Sequence, residues 1–406
     1  MIIIVDEGGC IMDRIMEIAG QLKEELIHIR RTIHQNPEVG PSLPKTKEFV
    51  IKKLKEYGYE PKEICESGIV ATITGEKPGK TFLLRADMDA LSIEEAAPVP
   101  FASTNHCMHA CGHDMHTTML LGAAKLLKQY QNDIVGTVKL VFQPDEEGFT
   151  GAKSMLKAGV LENPHVDAGM ALHVNSGTPS GMILCGKGTC MAGCTLFRIQ
   201  VKGTGCHGAM PETGVDPINI ATHIYLALQE INSREISPTQ PVALTIGKFV
   251  GGKAPNIIPE EVVLEGTIRT MDRDLSKHIF ERIETIATQM ALLFRGEAQV
   301  SEIASAPPLH NDERMVEEVA GYLGDIFDSQ KIIVFDKGGM GSEDFASYTY
   351  EIPCSYLLLG AGIAQENELY GKPMHNDHVV FNEDILPLGS AIYTYSALKW
   401  LENHQK

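Results

Sequence analysis

Segments with helical periodicity alternate with short apolar segments along most of this chain, and that alternation restricts the fold more than any other feature. Apolar residues at three- and four-residue steps indicate amphipathic helices, and short apolar runs between turn residues indicate strands. Up to about residue 175 the predicted helices cover 13–35, 44–57, 114–130 and 151–158, and the predicted strands cover 68–74, 81–86, 137–142 and 167–174. This order is typical of an α/β domain with a central sheet.

The pattern changes after about residue 190. The next predicted elements are a strand over 195–201, a helix over 216–231, strands over 242–250 and 260–270, a helix over 274–294 and a strand over 297–304. Their βαββαβ order is that of a ferredoxin-like unit. Alternation then resumes with helices over 312–327, 342–349 and 383–402 and strands over 331–335 and 353–359. We therefore predict a discontinuous α/β domain, 1–190 and 307–406, interrupted by a ferredoxin-like domain over 191–306.

Charge and composition exclude several classes of protein. The 406 residues include 35 Lys and Arg against 53 Asp and Glu, a formal charge of −18. Nucleic acids and anionic membranes both need a basic face, so neither is expected as a partner. The apolar start, Met1–Val5, is too short for a signal sequence and is followed at once by Asp6 and Glu7. Nine cysteines, an odd number spread over a long chain, suggest reduced thiols, and we expect a cytoplasmic protein.

Groups that bind transition metals are most concentrated over residues 105–116, which include four histidines, two cysteines and an aspartate. Imidazole together with thiolate suits zinc and similar ions. Cys111 and His113 would project to the same side of an extended segment. The segment is therefore either part of a metal site or a helix start with polar caps and buried histidines.

Acidic side chains follow two of the predicted strands. Asp145, Glu146 and Glu147 come directly after strand 137–142, where open α/β sheets place their sites. The alternative for this triplet is a solvated turn. Asp87 and Asp89 follow strand 81–86, and they could bind a metal, orient a ligating imidazole or lie in another solvated turn.

Two further histidines lie far from this cluster in the sequence. His173 is near the end of strand 167–174, and His375 lies in a polar segment close to the carboxyl end of the chain. Each could be a ligand or a structural histidine. These two histidines become stronger candidates for metal ligands only as part of a set that also contains Cys, His and Glu at strand ends.

Several short motifs occur in the order found in one known family. They are His109-Ala-Cys-Gly-His-Asp114, Pro144-Asp-Glu-Glu-Gly148, Leu172-His-Val174 and His207-Gly-Ala-Met-Pro211, with further matches at 85–90, 256–259, 266–269 and 341–345. From about residue 14 to 400 the chain resembles the M20 metallopeptidases. Within them it is most similar to amidohydrolases such as hippurate hydrolases, N-acyl-amino-acid amidohydrolases and auxin-conjugate hydrolases.

The resemblance implies a dinuclear-metal α/β domain with an inserted ferredoxin-like domain that serves dimerisation or acts as a lid. It assigns two divalent ions per subunit, with zinc, manganese, cobalt and nickel all open. The implied metal ligands are Cys111, His113, Glu147, His173 and His375. Cys111 resembles the ligand that bridges the two ions. Asp87 falls where relatives usually have a metal-binding histidine, so it is not counted as a ligand.

The resemblance also implies roles for residues around the metals. Glu146 matches the general base, and His207 matches a histidine that reaches the active site of the other subunit in dimers. Asn256 and Arg269 match contacts to the substrate carboxylate. Asp114 would support the ligands from behind.

The activity implied is metal-dependent hydrolysis of the amide bond of an N-acyl amino acid, which releases a carboxylic acid and a free amino acid. The same site would also serve a dipeptidase or an N-acetyl-diaminopimelate deacetylase. A catalytically silent homologue that only binds metal or ligand is the non-enzyme alternative. The expected partners are a small-molecule substrate and a second copy of the chain, with a tetramer also open.

Overall fold

The computed structural model describes residues 11–324, 327 and 329–405. The apolar start, Met1–Val5, therefore lies outside the described residues. Contacts divide the chain into two compact units. The first contains the described residues up to Gly188, His310–Lys337 and the chain from Ser347 onward, and the second contains Thr189–Leu309 and Gly338–Ala346.

Ten α-helices and sixteen strands are found in the described part of the chain. The helices are α1 (Ile11–Gln21), α2 (Lys23–His34), α3 (Pro44–Glu56), α4 (His113–Gln129), α5 (Gly151–Lys157), α6 (Pro217–Glu230), α7 (Arg273–Leu293), α8 (Glu313–Gly324), α9 (Ala346–Thr349) and α10 (Leu386–Asn403). The strands are β1 (Lys62–Ile64), β2 (Gly68–Thr74), β3 (Lys77–Asp87), β4 (Val135–Gln143), β5 (Ala168–Asn175), β6 (Ile183–Gly186), β7 (Gly188–Met191), β8 (Gly193–Lys202), β9 (Cys206–His207), β10 (Val242–Gly251), β11 (Ile257–Ile258), β12 (Glu261–Thr270), β13 (Glu297–Ala306), β14 (Leu309–Asn311), β15 (Ile332–Phe335) and β16 (Cys354–Gly360).

The first unit is built on a mixed eight-stranded sheet with the order β1-β2-β4-β3-β5-β16-β6-β15. The centre of the sheet is parallel, because β3 pairs in parallel with both β4 and β5. Strands β4 and β5 are buried along almost their whole length, as expected for parallel strands covered on both faces. Helices α4 and α10 pack against each other and against β3. Both helices are buried on nearly all sides, which fits their predominantly apolar sequences.

The chain changes direction across the sheet at β3. It passes from β3 to β4 on one side and then returns to β5 on the other side. The pairing of β3 with β5 ends at Arg85 and Ala171, whereas β3 stays paired with β4 as far as Asp87. Open α/β sheets bind ligands at such a point, beyond the carboxyl ends of the strands.

The second unit contains a four-stranded antiparallel sheet with the order β10-β12-β8-β13. Helices α6 and α7 pack on it, and the element order along the chain is βαββαβ. Its core is aliphatic and includes Ile199, Ile220, Leu264 and Ile283, all buried.

Two predicted helices are wrong in detail. The helix predicted over 13–35 is divided into α1 and α2 at Leu22, just after Gly20, a residue that weakens helices. The helix predicted over 342–349 covers only Ala346–Thr349. There the Glu343 side chain accepts a hydrogen bond from the backbone N–H of Phe345 over 2.9 Å, and such local bonds compete with helix formation.

In the described part of the chain, every helix is too short or too polar to cross a membrane. None of the eight cysteines of that part forms a disulfide bond.

Candidate metal centre

The five predicted metal ligands converge in the first unit, at the carboxyl ends of its central strands. Cys111 Sγ lies 3.5 Å from His173 Nε2 and 3.2 Å from His375 Nε2. His375 Nε2 is in turn 3.2 Å from Glu147 Oε1. Two groups, Cys111-His113-His173 and Cys111-Glu147-His375, each bring their ligand atoms within 4.8 Å of one another. Cys111 belongs to both groups.

The turn that carries Cys111 leads directly into α4, whose first residue is His113. Gly112 lies between them with a φ of 87°, a conformation that side chains other than glycine rarely adopt. A Cβ at this position would also overlap the side chain of Val174. Only glycine therefore allows Cys111 and His113 to be neighbours in the cluster.

The backbone fixes which nitrogen of two histidines carries the proton. His113 Nδ1 lies 2.9 Å from the carbonyl oxygen of Asp89, and His173 Nδ1 lies 2.7 Å from that of Val174. Because a carbonyl oxygen only accepts, each Nδ1 must donate. When the ring is neutral, Nε2 then presents a lone pair to the cluster, the arrangement found in metal-binding histidines.

One atom of the cluster, His113 Nε2, is buried without a hydrogen-bond partner in the described chain. A buried polar atom without a partner is destabilising, and native structures rarely keep one without a reason. This atom belongs to a predicted ligand, so the residues around it fit a bound cation.

Proton affinities in the cluster are strongly perturbed. Burial raises the pKa of the Cys111 thiol, and the nearby charge of Glu147 adds to the effect. Hydrogen bonds to Cys111 and Glu147 raise the pKa of His375 to about 10. Burial and the neighbouring His116 hold the pKa of His173 well below its usual value. In the metal-free protein His173 is therefore neutral and His375 holds a proton.

The three acidic residues after β4 have different surroundings. Asp145 has a φ of 55°, and its carboxylate accepts a hydrogen bond from the Thr150 hydroxyl. Glu147 lies beside His375, and Glu146 Oε2 lies 3.8 Å from His113 Nε2. The alternative of a solvated turn does not describe Asp145 and Glu146, which are both buried.

Asp89 anchors this acidic turn. Its two carboxylate oxygens accept hydrogen bonds from the backbone N–H groups of Glu146 and Glu147, over 3.0 and 3.1 Å. Its backbone carbonyl is the one that fixes His113. The sequence indicated a carboxylate in this segment but could not distinguish Asp89 from Asp87.

Asp87 serves a separate network. It pairs with Arg85 Nη1 over 2.7 Å and with His116 Nδ1 over 2.6 Å. Asp87, His113 and His116 also bring potential ligand atoms within 4.8 Å of one another, but both ring nitrogens of His116 already have hydrogen-bond partners. The Arg85 guanidinium already supplies positive charge there, and with His113 it holds the pKa of Asp87 well below its usual value despite burial.

Asp114 is buried behind the cluster, between two cationic side chains of α2. Arg30 Nε and His34 Nδ1 both lie 2.7 Å from Asp114 Oδ2. His34 Nε2 is 2.9 Å from a carboxylate oxygen of Glu95, so both ring nitrogens face carboxylates. Burial and Arg30 disfavour a charge on His34, but the two carboxylates outweigh them and raise its pKa. Arg30 and His34 were not predicted as site residues, because their position on the apolar face of a helix was the only signal they carry in the sequence.

The other predicted residues belong to the second unit. His207 is exposed in β9, and its Nδ1 accepts a hydrogen bond from the N–H of Ala209 over 3.0 Å, which puts a proton on Nε2. Asn256 is also exposed. Arg269 Nη1 donates to the carbonyl of Met340 over 3.0 Å and to the Ser342 hydroxyl over 2.8 Å.

An α/β unit with a Cys, His and Glu cluster beyond its strand ends is the architecture of a metallohydrolase. Residues 83–399 match the sequence model of peptidase family M20/M25/M40, and the chain belongs to this family.

Proteins of known name support this membership. The chain is 39% identical to the N-acetyl-L-cysteine deacetylase of Bacillus subtilis, over 84% of this chain and 81% of that protein. It is 35% identical to the hippurate hydrolase of Campylobacter jejuni, over 96% of this chain and all of that protein. Among solved structures, a dinuclear metal-binding peptidase of the M20 family from Bacillus subtilis matches with a TM-score of 0.76 at 29% identity, covering 94% of this chain and 99% of that one.

Proposed function

We propose that this protein is a metal-dependent amidohydrolase that cleaves the amide bond of N-acyl amino acids to a carboxylic acid and a free amino acid. The observation that carries the proposal is the convergence of Cys111, His113, Glu147, His173 and His375 in one cluster, in which Cys111, His113 and His173 are buried. The names of two relatives support the substrate class, because N-acetyl-L-cysteine and hippurate are both N-acyl amino acids.

Cys111 would be shared between two divalent ions. His113 and His173 would complete the site of one ion, and Glu147 and His375 that of the other. Zinc, manganese, cobalt and nickel all accept such a mixture of ligands. When bound, the ions lower the pKa of a water molecule and polarise the carbonyl group of the substrate.

Glu146 is the proposed general base. Its carboxylate is next to the ligand cluster, and Asp89 fixes its backbone. It would take a proton from the attacking water and deliver it to the nitrogen of the leaving amine. Cleavage of the C–N bond of the substrate requires a proton on that nitrogen, because the deprotonated amine is a very poor leaving group.

The second unit would supply substrate contacts. We propose that 191–306 is an inserted ferredoxin-like domain for dimerisation or closure, in a homodimer or tetramer. His207 carries a proton on Nε2, which suits donation to the developing oxyanion of a partner subunit's substrate. Asn256 and Arg269 would bind the substrate carboxylate, with Arg269 Nη1 already engaged by Met340 and Ser342.

A reducing compartment suits this chemistry. The thiolate of Cys111 is needed as a ligand, and no disulfide bond is found among the described cysteines. We therefore propose a cytoplasmic location.

A substrate panel tests the proposal. Purified protein is stripped of metal, loaded with manganese, cobalt or zinc, and assayed on hippurate, N-acetyl amino acids and dipeptides. Turnover of the N-acyl amino acids is expected, with Glu146→Gln as the inactive control. Preference for dipeptides would indicate the dipeptidase alternative. No turnover with any metal would contradict an enzymatic function.

A further inference from the structure

Strands β3 and β5 separate where the proposed ligands begin, and side chains replace the lost backbone pairing. Their ladder ends at Ala171, although β5 remains paired with β16 as far as Asn175. The N–H groups on either side of His173 are bound by side chains. Leu172 N–H donates to the Tyr393 hydroxyl and Val174 N–H donates to His116 Nε2, each over 2.9 Å.

The facing edge of β3 is satisfied in the same way. The Tyr393 hydroxyl donates to the carbonyl of Arg85 over 2.8 Å, and the Thr117 hydroxyl donates to the carbonyl of Asp87 over 2.7 Å. Tyr393 therefore bridges the two strands by donating to one and accepting from the other. Side chains of α4 and α10 occupy the place of a backbone ladder that stops short.

His116 has no nitrogen left for a metal. Its Nε2 accepts from Val174, so its Nδ1 carries the proton and donates to Asp87 Oδ1 over 2.6 Å. Its ring also contacts that of His173, with the centroids 4.3 Å apart. Val174, the residue after His173, is thus held at its N–H by His116 and at its carbonyl oxygen by His173 Nδ1.

We propose that Tyr393 and His116 are positioning residues that hold β3 and β5 apart and place the imidazole of His173 for metal binding. This inference rests on the proposed metal-dependent function. Without either side chain, a backbone N–H beside His173 loses its partner, and the two strands can approach each other. Partners of this kind, which orient a ligand without touching the ion, typically change metal affinity about 10–100-fold.

The variants that test this are Tyr393→Phe, His116→Leu and His116→Gln. Phenylalanine removes only the hydroxyl. Leucine removes both polar nitrogens of His116, whereas the amide oxygen of glutamine can still accept from Val174. Tyr130→Phe and Thr118→Val are matched controls, because both hydroxyls are buried without a hydrogen-bond partner in the described part of the chain.

Three quantities are measured: the dissociation constants for Mn²⁺ and Zn²⁺, hydrogen exchange of a 168–175 peptide in the metal-free protein, and kcat and KM. Tyr393→Phe and His116→Leu should weaken metal binding about 10–100-fold and speed exchange. His116→Gln should restore most of the affinity, and both controls should resemble the wild type. A purely structural role would not predict rescue by glutamine.

The possible failures are distinguishable. If wild-type protein binds neither ion, the proposed function itself is wrong. If the wild type binds metal and hydrolyses the panel while Tyr393→Phe and His116→Leu match it in affinity and exchange, only the positioning role is overturned. If Tyr393→Phe does not fold, the contrast between the leucine and glutamine variants of His116 decides, and equal affinities there reject the proposal.

Discussion

The carboxylate of Asp89 accepts a hydrogen bond from the backbone N–H of Glu146 over 3.0 Å. Asp89 follows β3, whereas Glu146 follows β4, so the bond joins the ends of two neighbouring strands. A second bond from the same carboxylate holds Glu147. The direction of both acidic side chains therefore depends on a residue that is not itself a predicted ligand.

Asp89→Asn should damage the site without removing any ligand. Asparagine offers one oxygen to the two N–H groups, and its NH₂ group would face the other N–H as a second donor. We expect about 10–100-fold lower metal affinity or kcat/KM, measured by metal titration and steady-state kinetics. Asp145→Asn is the control, because its side chain can still accept from Thr150. Equal losses in both variants would argue against a specific anchoring role.

Substitutions of Glu146 and Glu147 should distinguish a role in catalysis from a role in metal binding. Glu146→Gln removes the proposed proton acceptor, so we expect full metal content and a kcat lower by about 10²–10⁴-fold. Glu147→Gln should instead lose metal, because a neutral amide is a weaker ligand than a carboxylate. Elemental analysis and kcat together check both. Glu146→Gln with near-normal kcat would show that the base is another residue.

Metal binding should release protons. His375 has a pKa raised to about 10 in the metal-free protein, and the pKa of Cys111 is also raised. Both groups must be deprotonated to act as ligands, so protons compete with metal as long as either group is protonated. The logarithm of the association constant should rise by about one to two per pH unit between pH 6 and 8. Calorimetry in buffers of different ionisation enthalpy counts the protons, and a pH-independent affinity would refute this account.

His34→Leu should destabilise the first unit, because the buried carboxylate of Glu95 loses its cationic partner and that of Asp114 keeps only Arg30. Breaking a buried pair in this way typically costs about 3–5 kcal/mol. Because the folded-state pKa of His34 is raised, its contribution is complete below the unfolded value near 6.5 and is lost as pH rises through the folded-state pKa.

Urea unfolding of wild type and variant at several pH values checks this prediction. The difference in unfolding free energy should be largest at pH 6 and should shrink at alkaline pH. His28→Leu, an exposed histidine on the same helix, should change stability by no more than about 0.5 kcal/mol. A difference that grows with pH would reverse the assigned sign.

Local sequence was a good guide wherever local interactions decide structure. The long apolar runs predicted β4 and β5 to within two residues at each end. The histidines and cysteines around Cys111 and His113 are dense enough to indicate a metal site without any other motif. Strands of two to four residues, such as β6, β9 and β15, carry too little periodicity for reliable detection, and of these only β15 was predicted.

The assembled site could not be derived from residue patterns alone. Cys111 and His375 are 264 residues apart, and only the resemblance to a family linked them. Tyr393 and Arg85 are 308 residues apart, and the Tyr393 hydroxyl donates to the Arg85 carbonyl. In the sequence, Tyr393 cannot be distinguished from any other tyrosine of an apolar helix. Residue pairs of this kind are brought together by tertiary packing, so they cannot be predicted from periodicity or spacing in the sequence.

The carbonyls of Asp89 and Val174 orient His113 and His173 before any ion arrives. Loading the site therefore demands no rotation of these rings and no refolding of the helix and the strand that bear them. Dialysis against a chelator and then against a chosen salt should yield a series of derivatives with one fold and different ions. Paramagnetic cobalt could then report on the ligand geometry spectroscopically, in a protein whose own side chains are silent at visible wavelengths.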